Sequence, residues 1–323
     1  MLKYFLKRIG HILLALLVIS AVTFGLLQLA PGNYLDTQRL LEKTLTDATV
    51  SAEMKEAWEE FYGLNKPAWY RYGKFVVNAV QWKFGPSYKY PTQRIEDIIA
   101  RTLPISARMA MIAIAVALIL GIPFGVIAAM NQNRLADRIV VLISMFGLSI
   151  PSYVMAILLC YFLGLKLGLL PVIGWGKPIN YVLPIISLAI GPVGTVTKYT
   201  RSTLIDTMNQ DYIRVARAKG GNFVRVVFKH ALRNSLIPLI TIVGPMIAYL
   251  TVGTVFVENM FSIPGLGQYY ASAAINRDYP MVMATTVVFA MLVMGINLLV
   301  DMIHVFLDPR VRNSVIQGKG GRK

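Results

Sequence analysis

Six long stretches without a charged residue dominate this sequence, and they restrict the folds open to it. Each is long enough to cross the ~30 Å hydrocarbon core of a bilayer, which takes about 20 apolar residues in a helix. They cover residues 9–30, 109–130, 139–165, 178–197, 234–257 and 279–300. Because a chain in lipid must satisfy its backbone hydrogen bonds internally, we predict a transmembrane helix at each stretch. The expected fold class is an all-α, polytopic membrane protein with six transmembrane helices.

Two of these stretches contain prolines that disturb a helix. Pro151 removes a backbone donor from the third stretch and is expected to kink it. Pro184 and Pro192 interrupt the fourth, which is therefore the weakest of the six predictions. Transmembrane helices tolerate such residues where neighbouring helices satisfy the freed backbone groups.

The composition excludes an ordinary soluble domain. Hydrophobic residues make up 56% of the chain and charged residues only 15%, which is too apolar for a soluble protein of this length. The net charge of +16 would suggest nucleic-acid binding in a soluble protein, but in a membrane protein it indicates cationic cytoplasmic loops. A single cysteine, Cys160, excludes an internal disulfide.

The first stretch has a second interpretation as a secretory signal. Lys3, Lys7 and Arg8 precede it, and Ala30 could end a cleavage site. Gln28 spoils the small-x-small pattern that such a site needs, and the apolar run is longer than a typical signal core. We therefore expect an uncleaved first helix.

The distribution of cations predicts the orientation of the helices. With the N-terminus in the cytoplasm, eighteen of the 32 Lys and Arg residues fall in cytoplasmic loops and ends, and the short outer loops carry only Lys166, Lys177 and Arg277. This asymmetry fits the positive-inside rule. Both termini are therefore predicted to be cytoplasmic.

One outer segment is long, from about residue 31 to 101, and nearly neutral. One helix is predicted in it between a capping Ser51 and a terminating Gly63, with Trp58 on its apolar face. A second amphipathic helix is predicted after Pro67. The segment is expected to form a helical subdomain, which either caps the spans or receives a partner.

Motifs for catalysis are missing. The fragments at residues 174–178 and 318–323 lack the glycine spacing and the Ser or Thr of a phosphate-binding loop. The three histidines, His11, His230 and His304, are scattered and do not form a metal-binding pattern. The chain is therefore predicted not to be an enzyme, and a partner or an ion gradient must supply the energy for any transport.

Polar residues near the ends of the spans are candidates for a translocation path. Glu258 follows the fifth span, Asp301 ends the sixth, and Asn297 lies one turn before Asp301. Ionisable residues inside a membrane usually mark substrate or ion pathways. Both acids lie near predicted interfaces, so we interpret them as solvated helix ends, with a translocation path as the alternative. No inverted repeat is evident, which weakens the hypothesis of a gradient-driven carrier.

The longest cytoplasmic loop, residues 198–235, carries a short predicted helix. This helix begins near Asp211, whose carboxylate suits the positive end of the helix dipole, and it ends at Gly220. Its narrow face consists mostly of small or apolar residues, with Tyr212, Val215, Ala216 and Lys219 at i, i+3, i+4 and i+7, and Arg214 and Arg217 flank it. Such a face can dock a protein or anchor the loop at lipid headgroups, and periodicity alone does not decide between them.

A second helix is predicted to follow from Asn222 into the fifth span. One stripe of it is apolar, with Phe223, Val226, Val227 and Ala231, and another is cationic, with Arg225, Lys229 and Arg233. We interpret the cationic stripe as a lipid-headgroup anchor.

Several motifs in this chain resemble those of one known family. VARAKG followed by HALRNSLIP is similar to the cytoplasmic "EAA" loop of ABC importer permeases in its peptide-transporter form. Other similar stretches, in chain order, are LAPG, GLNKP, FGPSYKYP, VENMFSIPGLGQ, NRDYP and DPR. They run along nearly the whole chain and resemble most closely the B-type permease subunit of oligopeptide and dipeptide importers.

The resemblance implies a type I ABC importer permease fold and a set of partners. These partners are a second related permease, two ABC ATPase subunits and an extracytoplasmic peptide-binding protein. The chain itself is expected to bind no cofactor, because ATP and magnesium belong to the ATPase subunits. The implied location is the bacterial cytoplasmic membrane, and the implied function is import of oligopeptides. A dipeptide, nickel chelate or opine importer and a gradient-driven carrier are the alternatives.

The resemblance also identifies the short loop helix as the coupling helix that contacts an ATPase. The residues carried over are Asp211, Tyr212, Arg214, Val215, Ala216, Arg217, Ala218, Lys219 and Gly220. Arg214 departs from the family pattern, which has Glu at the first EAA position. The expected division is a first helix with its cytoplasmic end (1–30), an outer subdomain (31–101), a permease core with five helices (102–307) and a basic cytoplasmic tail (308–323).

Overall fold

The structure is a computed structural model that describes residues 2–30, 52–218 and 222–307. Within these ranges the ordered elements are helices without any strand, and an isolated antiparallel bridge joins Pro86 and Arg94. The predicted all-α fold class is thus confirmed for the described residues. The α-helices are α1 (Leu2–Leu29), α2 (Ala52–Tyr62), α3 (Ala68–Val80), α4 (Ile95–Met130), α5 (Leu135–Ser149), α6 (Ser152–Leu159), α7 (Val182–Met208), α8 (Asp211–Ala218), α9 (Phe223–Val226), α10 (Leu232–Ser235), α11 (Ile237–Gly253), α12 (Val255–Phe261), α13 (Leu266–Ile275) and α14 (Tyr279–Leu307).

Four to six of the described segments have the length and composition of membrane spans. Four are single helical stretches: Phe5–Leu29, Ile95–Met130, Pro178–Met208 and Tyr279–Ile303. Two more spans arise if each bent pair counts as one, namely Leu135–Ser149 with Ser152–Lys166 and Val224–Ser235 with Pro238–Gly253. Each of the six predicted stretches therefore corresponds to one of these segments.

Proline affects the third and fourth spans differently. The third bends at Pro151 more sharply than the predicted kink, since Ile150 is extended and the helices on either side of it meet at 101°. A proline disfavours helical geometry in the residue before it, which explains the break. The fourth span, in contrast, continues through Pro192 as the 27-residue helix α7.

The described residues fall into two compact units. The second unit takes its described residues from 107–263 and 296–307, and α7 packs in it against α4 and α5. A Cβ added to Gly125 of α4 would collide with Thr200, and one added to Gly194 of α7 would collide with the Ser144 backbone. Small residues at these positions therefore let the helices approach closely, as is common between membrane helices.

The first unit takes its described residues from 2–106 and 264–295. Its α2 buries Trp58, whose ring lies 4.8 Å from that of Tyr88. Gly63 follows α2 with a φ of +65°, so the predicted end of this helix is confirmed. The predicted cap, Ser51, lies outside the described residues.

The long helix α4 begins at Ile95, before the uncharged stretch that predicted it. Near this start, Glu96 accepts hydrogen bonds from the backbone amides of Phe84 and Gly85, each at 3.1 Å. A carboxylate suits the first turn of a helix. Hydropathy indicated only the part of the helix that is apolar enough for lipid.

Candidate functional site

The short helix α8 is the element that the sequence analysis identified as a coupling helix. It runs from Asp211 to Ala218. The backbone amides of Ile213 and Arg214 both donate hydrogen bonds to the carbonyl oxygen of Gln210, at 3.1 and 3.3 Å. These bonds form the first turn of the helix. Lys219 and Gly220, the predicted end of the helix, lie outside the described residues.

One face of α8 is anchored in an apolar cluster. Ile213 is fully buried, and Ala216, one turn later, packs against the same cluster. The other buried members come from α4, α7, α9 and the π-helical turn after α9: Val126, Leu204, Val226, Val227 and Ala231. Burial of these apolar side chains holds α8 against the ends of two candidate spans.

The sequence analysis did not identify Ile213. The signal was present, because Ile213 and Ala216 have the i, i+3 spacing of one helical face. The predicted face of Tyr212, Val215 and Ala216 is divided in the structure, since only Ala216 packs on the cluster.

The other side of α8 is exposed. Tyr212 is 44% exposed and Val215 53% exposed, and Asp211, Arg214 and Ala218 are exposed too. The Tyr212 hydroxyl accepts a hydrogen bond of 3.0 Å from the Asn234 side chain. An exposed surface that mixes aromatic, aliphatic and charged groups on an anchored helix is chemically suited to contact another protein.

The cationic stripe of the following segment agrees with its prediction. Val226, Val227 and Ala231 are buried, whereas Arg225, Lys229 and Arg233 are exposed. The apolar and cationic stripes therefore lie on different sides of this segment.

We expect Ile213→Ala to destabilise the second unit. Truncating a buried Ile costs ~2–5 kcal/mol, and ~1 kcal/mol shifts Tm by ~2–4 °C in a domain of this size. Thermal unfolding of the purified protein should therefore start several degrees lower. Val215→Ala in the same helix is the matched control, with a change below ~0.5 kcal/mol. Equal unfolding temperatures for the two variants would refute the anchoring role of Ile213.

An ion pair between a buried carboxylate and a partly exposed arginine lies in the same unit, between α5 and α7. Arg201 donates from Nε to Asp137 Oδ1 at 2.5 Å and from Nη2 to Oδ2 at 2.7 Å. The backbone amide of Asn133 donates to the same carboxylate at 2.8 Å. Asp137 is only 3% exposed. Because α7 leads into α8, this pair fixes the segment that carries α8 to the start of α5.

The three candidate residues for a translocation path lie on two helices. Asn297 and Asp301 are half-buried and one turn apart on α14, and Glu258 lies on α12. Glu258 is fully buried, so its interpretation as a solvated helix end was wrong. Position near the end of an apolar run does not reveal burial by the rest of the fold. The burial keeps Glu258 a functional candidate.

In the first unit, two of the motifs meet although they lie far apart in the chain. Asp278 of NRDYP is fully buried and accepts hydrogen bonds from the Ser87 hydroxyl and the Lys89 amide of FGPSYKYP. The Met281 amide at the start of α14 donates to the other oxygen at 3.3 Å. Lys89 Nζ also donates to Ser272 Oγ at 2.6 Å. The sequence analysis did not predict this cluster.

Burial raises the pKa of Asp278 above its ordinary value, although its hydrogen bonds oppose the shift. The folded state then binds this proton more tightly than the unfolded state does. The resulting stability is fully present below the unfolded pKa of about 3.9 and is lost as pH rises through the folded pKa. We therefore expect the Tm advantage of the native protein over Asp278→Asn to grow as pH falls through this window. A difference that stays constant with pH would contradict the expectation.

Comparison with known proteins supports the fold and the family. The family model described as "Binding-protein-dependent transport system inner membrane component" matches residues 121–313. The dipeptide transport system permease protein DppB of Lactococcus lactis is 39% identical, and the match covers 97% of this chain and all of that protein. The oligopeptide transport system permease protein OppB of Haemophilus influenzae is 35% identical with the same coverage.

A solved structure has a similar fold. One chain in inward-facing conformations of the MetNI methionine ABC transporter matches with a TM-score of 0.52 and 19% identity. The match covers 64% of this chain and 94% of that one. At this identity the likeness concerns the fold alone. From the family match and the full-length relatives, the chain belongs to the family of binding-protein-dependent transport system inner membrane components, as a multi-pass protein of the bacterial inner membrane.

Proposed function

We propose that this chain is the pore-forming permease subunit of an ATP-driven importer that translocates oligopeptides delivered by an extracytoplasmic binding protein. The observation that carries the proposal is α8, which buried Ile213 anchors and which exposes Tyr212 and Val215. Relatives of 32–39% identity over nearly the whole chain, named as dipeptide or oligopeptide permeases, support the substrate class.

The proposed assembly contains a second related permease, two ABC ATPase subunits and the binding protein. ATP and magnesium bind in the ATPase subunits, and this chain contributes no catalytic residue. The exposed side of α8, from Asp211 to Ala218, contacts one ATPase together with Lys219 and Gly220. The proposed path for the substrate passes Glu258, Asn297 and Asp301.

The proposed topology has six spans, with each bent helix pair counted as one, and both termini in the cytoplasm. It follows the cation distribution, with the loop of residues 198–235 and the tail of residues 308–323 inside and residues 31–101 outside. When ATP brings the ATPase subunits together, α8 moves with one of them. The Asp137–Arg201 pair and the Ile213 cluster then transmit the motion to α4, α5 and α7, which changes access from the inner to the outer side. Peptide shifts this equilibrium through its different affinity for the two states.

Dipeptide import is the second candidate, because the relatives at 39% and 36% identity include proteins named as dipeptide permeases. A length series separates the candidates. Cells that lack other peptide importers would express the chain with its four partner subunits and receive labelled dipeptide, tripeptide, pentapeptide and octapeptide. An oligopeptide importer accumulates the longer peptides. Uptake confined to the dipeptide would overturn that assignment, and uptake of none of them would overturn peptide import.

A further inference from the structure

Helix α3 carries an apolar stripe that the rest of the described chain leaves uncovered. Trp69, Val77 and Val80 are 75%, 57% and 84% exposed, and with Gly73 they follow i, i+4, i+8 and i+11. This spacing places them on one side of a helix. No residue of α3 is fully buried. Such a stripe on a helix of a membrane protein needs a partner.

The contacts of α3 with α1 fix its level along a candidate span. The Tyr72 hydroxyl donates to the carbonyl oxygen of Leu17 at 3.0 Å and lies 3.0 Å from Ser20 Oγ. Ser20 is nine residues before Leu29, the end of the span, which is about 13 Å along a helix. Tyr72 therefore reaches well inside the segment of α1 that is apolar enough for lipid.

Arg71, the residue before Tyr72, contacts α1 nearer to the end of the candidate span at Leu29. Arg71 donates to the Gln28 side chain at 3.2 Å, and its guanidinium lies over the Phe24 ring at 5.9 Å. Along the axis of α1, Tyr72 thus makes its hydrogen bonds on one side of Phe24 and Arg71 on the other. Phe24 is five residues from Leu29, so α3 crosses α1 about 7 Å inside the end of the span. A helix that lies in a membrane interface buries its apolar face about 5–10 Å into the boundary between headgroups and acyl chains.

The polar groups of α3 are separated from the stripe. Lys74 donates to the carbonyl oxygen of Glu60 in α2 at 2.7 Å, and Lys66 and Lys83, which flank the helix, are exposed. Lys and Arg opposite an apolar, Trp-containing face are typical of helices that lie in the interface. The aliphatic stems of such cations cover apolar surface while their charges reach phosphate groups.

We infer that α3 lies in the interfacial region of the membrane, with Trp69, Val77 and Val80 among the acyl chains and its cations at the phosphates. The occupant is lipid because α1 at the same level is itself apolar and exposed, with Val18, Val22 and Leu26 each more than half exposed. Assignment to the outer leaflet rests on the proposed topology, whereas immersion requires only that α1 spans the membrane.

Spin labels test the immersion on the whole complex in liposomes. Cys160 is the only cysteine of the chain, so Cys160→Ala, in a complex whose partner subunits are also made free of cysteine, allows single labels at Trp69→Cys, Val77→Cys and Val80→Cys. Matched controls are Lys66→Cys and Lys74→Cys. Collision rates are measured with oxygen, which partitions into acyl chains, and with a water-soluble nickel chelate. The ratio of oxygen to nickel collisions should be at least about threefold higher on the stripe than at the controls.

Two results would overturn the inference. Nickel collisions on the stripe as frequent as at the controls would place α3 in water. Low collision rates with both reagents and an immobilised label would place the stripe against a protein, such as the second permease. Quenching of tryptophan fluorescence by acyl-brominated lipids gives a second measurement without cysteine. Trp69→Phe should reduce the quenching and Trp58→Phe, at a buried residue, should not; no reduction in the Trp69→Phe variant would also contradict immersion.

Discussion

Replacing Arg201 with alanine should lower the free energy of unfolding of the second unit by ~3–5 kcal/mol. The change removes the two hydrogen bonds that Arg201 donates to Asp137. This buried carboxylate then keeps the hydrogen bond from the Asn133 backbone amide. An uncompensated charge in such a place is far more costly than the loss of a surface pair. Thermal unfolding of the purified permease measures the effect, and a drop in Tm of about ten degrees is expected at ~2–4 °C per kcal/mol.

Two further variants define the origin of this effect. Arg214→Ala breaks the exposed pair with Asp211, whose atoms are 3.6 Å apart, and should change stability by less than ~0.5 kcal/mol. Asp137→Asn combined with Arg201→Gln removes both charges and should be less damaging than Arg201→Ala alone. The account of the pair fails if Arg201→Ala is no more harmful than Arg214→Ala. Because the pair holds the segment that leads into α8, Arg201→Ala should also reduce transport.

The variant Val215→Glu should uncouple the permease from its ATPase while leaving the permease folded. Val215 is about half exposed on the outer side of α8, so glutamate there meets water in the free subunit and disturbs no core. In the proposed contact with the ATPase, the introduced carboxylate would be buried in the interface without an opposite charge. Removal of such a contact residue weakens binding by ~2 kcal/mol or more, which is over tenfold. Co-purification of the ATPase subunits and their stimulation by loaded binding protein are the two measurements.

Val224→Glu is the matched control for this substitution. Val224 belongs to α9, in the same loop, and is 52% exposed against 53% for Val215. It is the first residue of the segment Val224–Ser235, which leads into Pro238–Gly253. The proposal predicts normal ATPase binding for Val224→Glu. If both variants fail to bind the ATPase subunits, or if both still bind them, α8 is not the specific contact.

Local sequence signals were sufficient for most of the fold. Apolar stretches of span length predicted the long helices, since a bilayer demands their length and backbone pairing. Pro151 predicted the bend between α5 and α6, because its effect on the preceding residue is local. Pro192 had no comparable effect in α7, where packing against α4 and α5 is a tertiary property that a single residue does not reveal.

The inward face of α8 and the Asp278 cluster required the structure. An eight-residue helix has only two turns, so a face with Tyr212 and Val215 and one with Ile213 were equally compatible with the spacing. The choice depends on Val126 and Leu204, which come from other helices. Asp278 binds Ser87 across 191 positions of sequence, a pairing that no local pattern contains. The resemblance indicated that both motifs matter but not that they touch.

Uptake of a labelled peptide by proteoliposomes shows whether ATP hydrolysis drives transport through this chain. The complete complex would be reconstituted with its binding protein on the side of the outer subdomain and ATP on the side of the ATPases. An ATP-driven importer should accumulate peptide with ATP, accumulate none with a hydrolysis-resistant analogue, and be unaffected when ionophores abolish ion gradients. Uptake that proceeds without ATP hydrolysis and collapses with an ionophore would contradict it and identify a gradient-driven carrier.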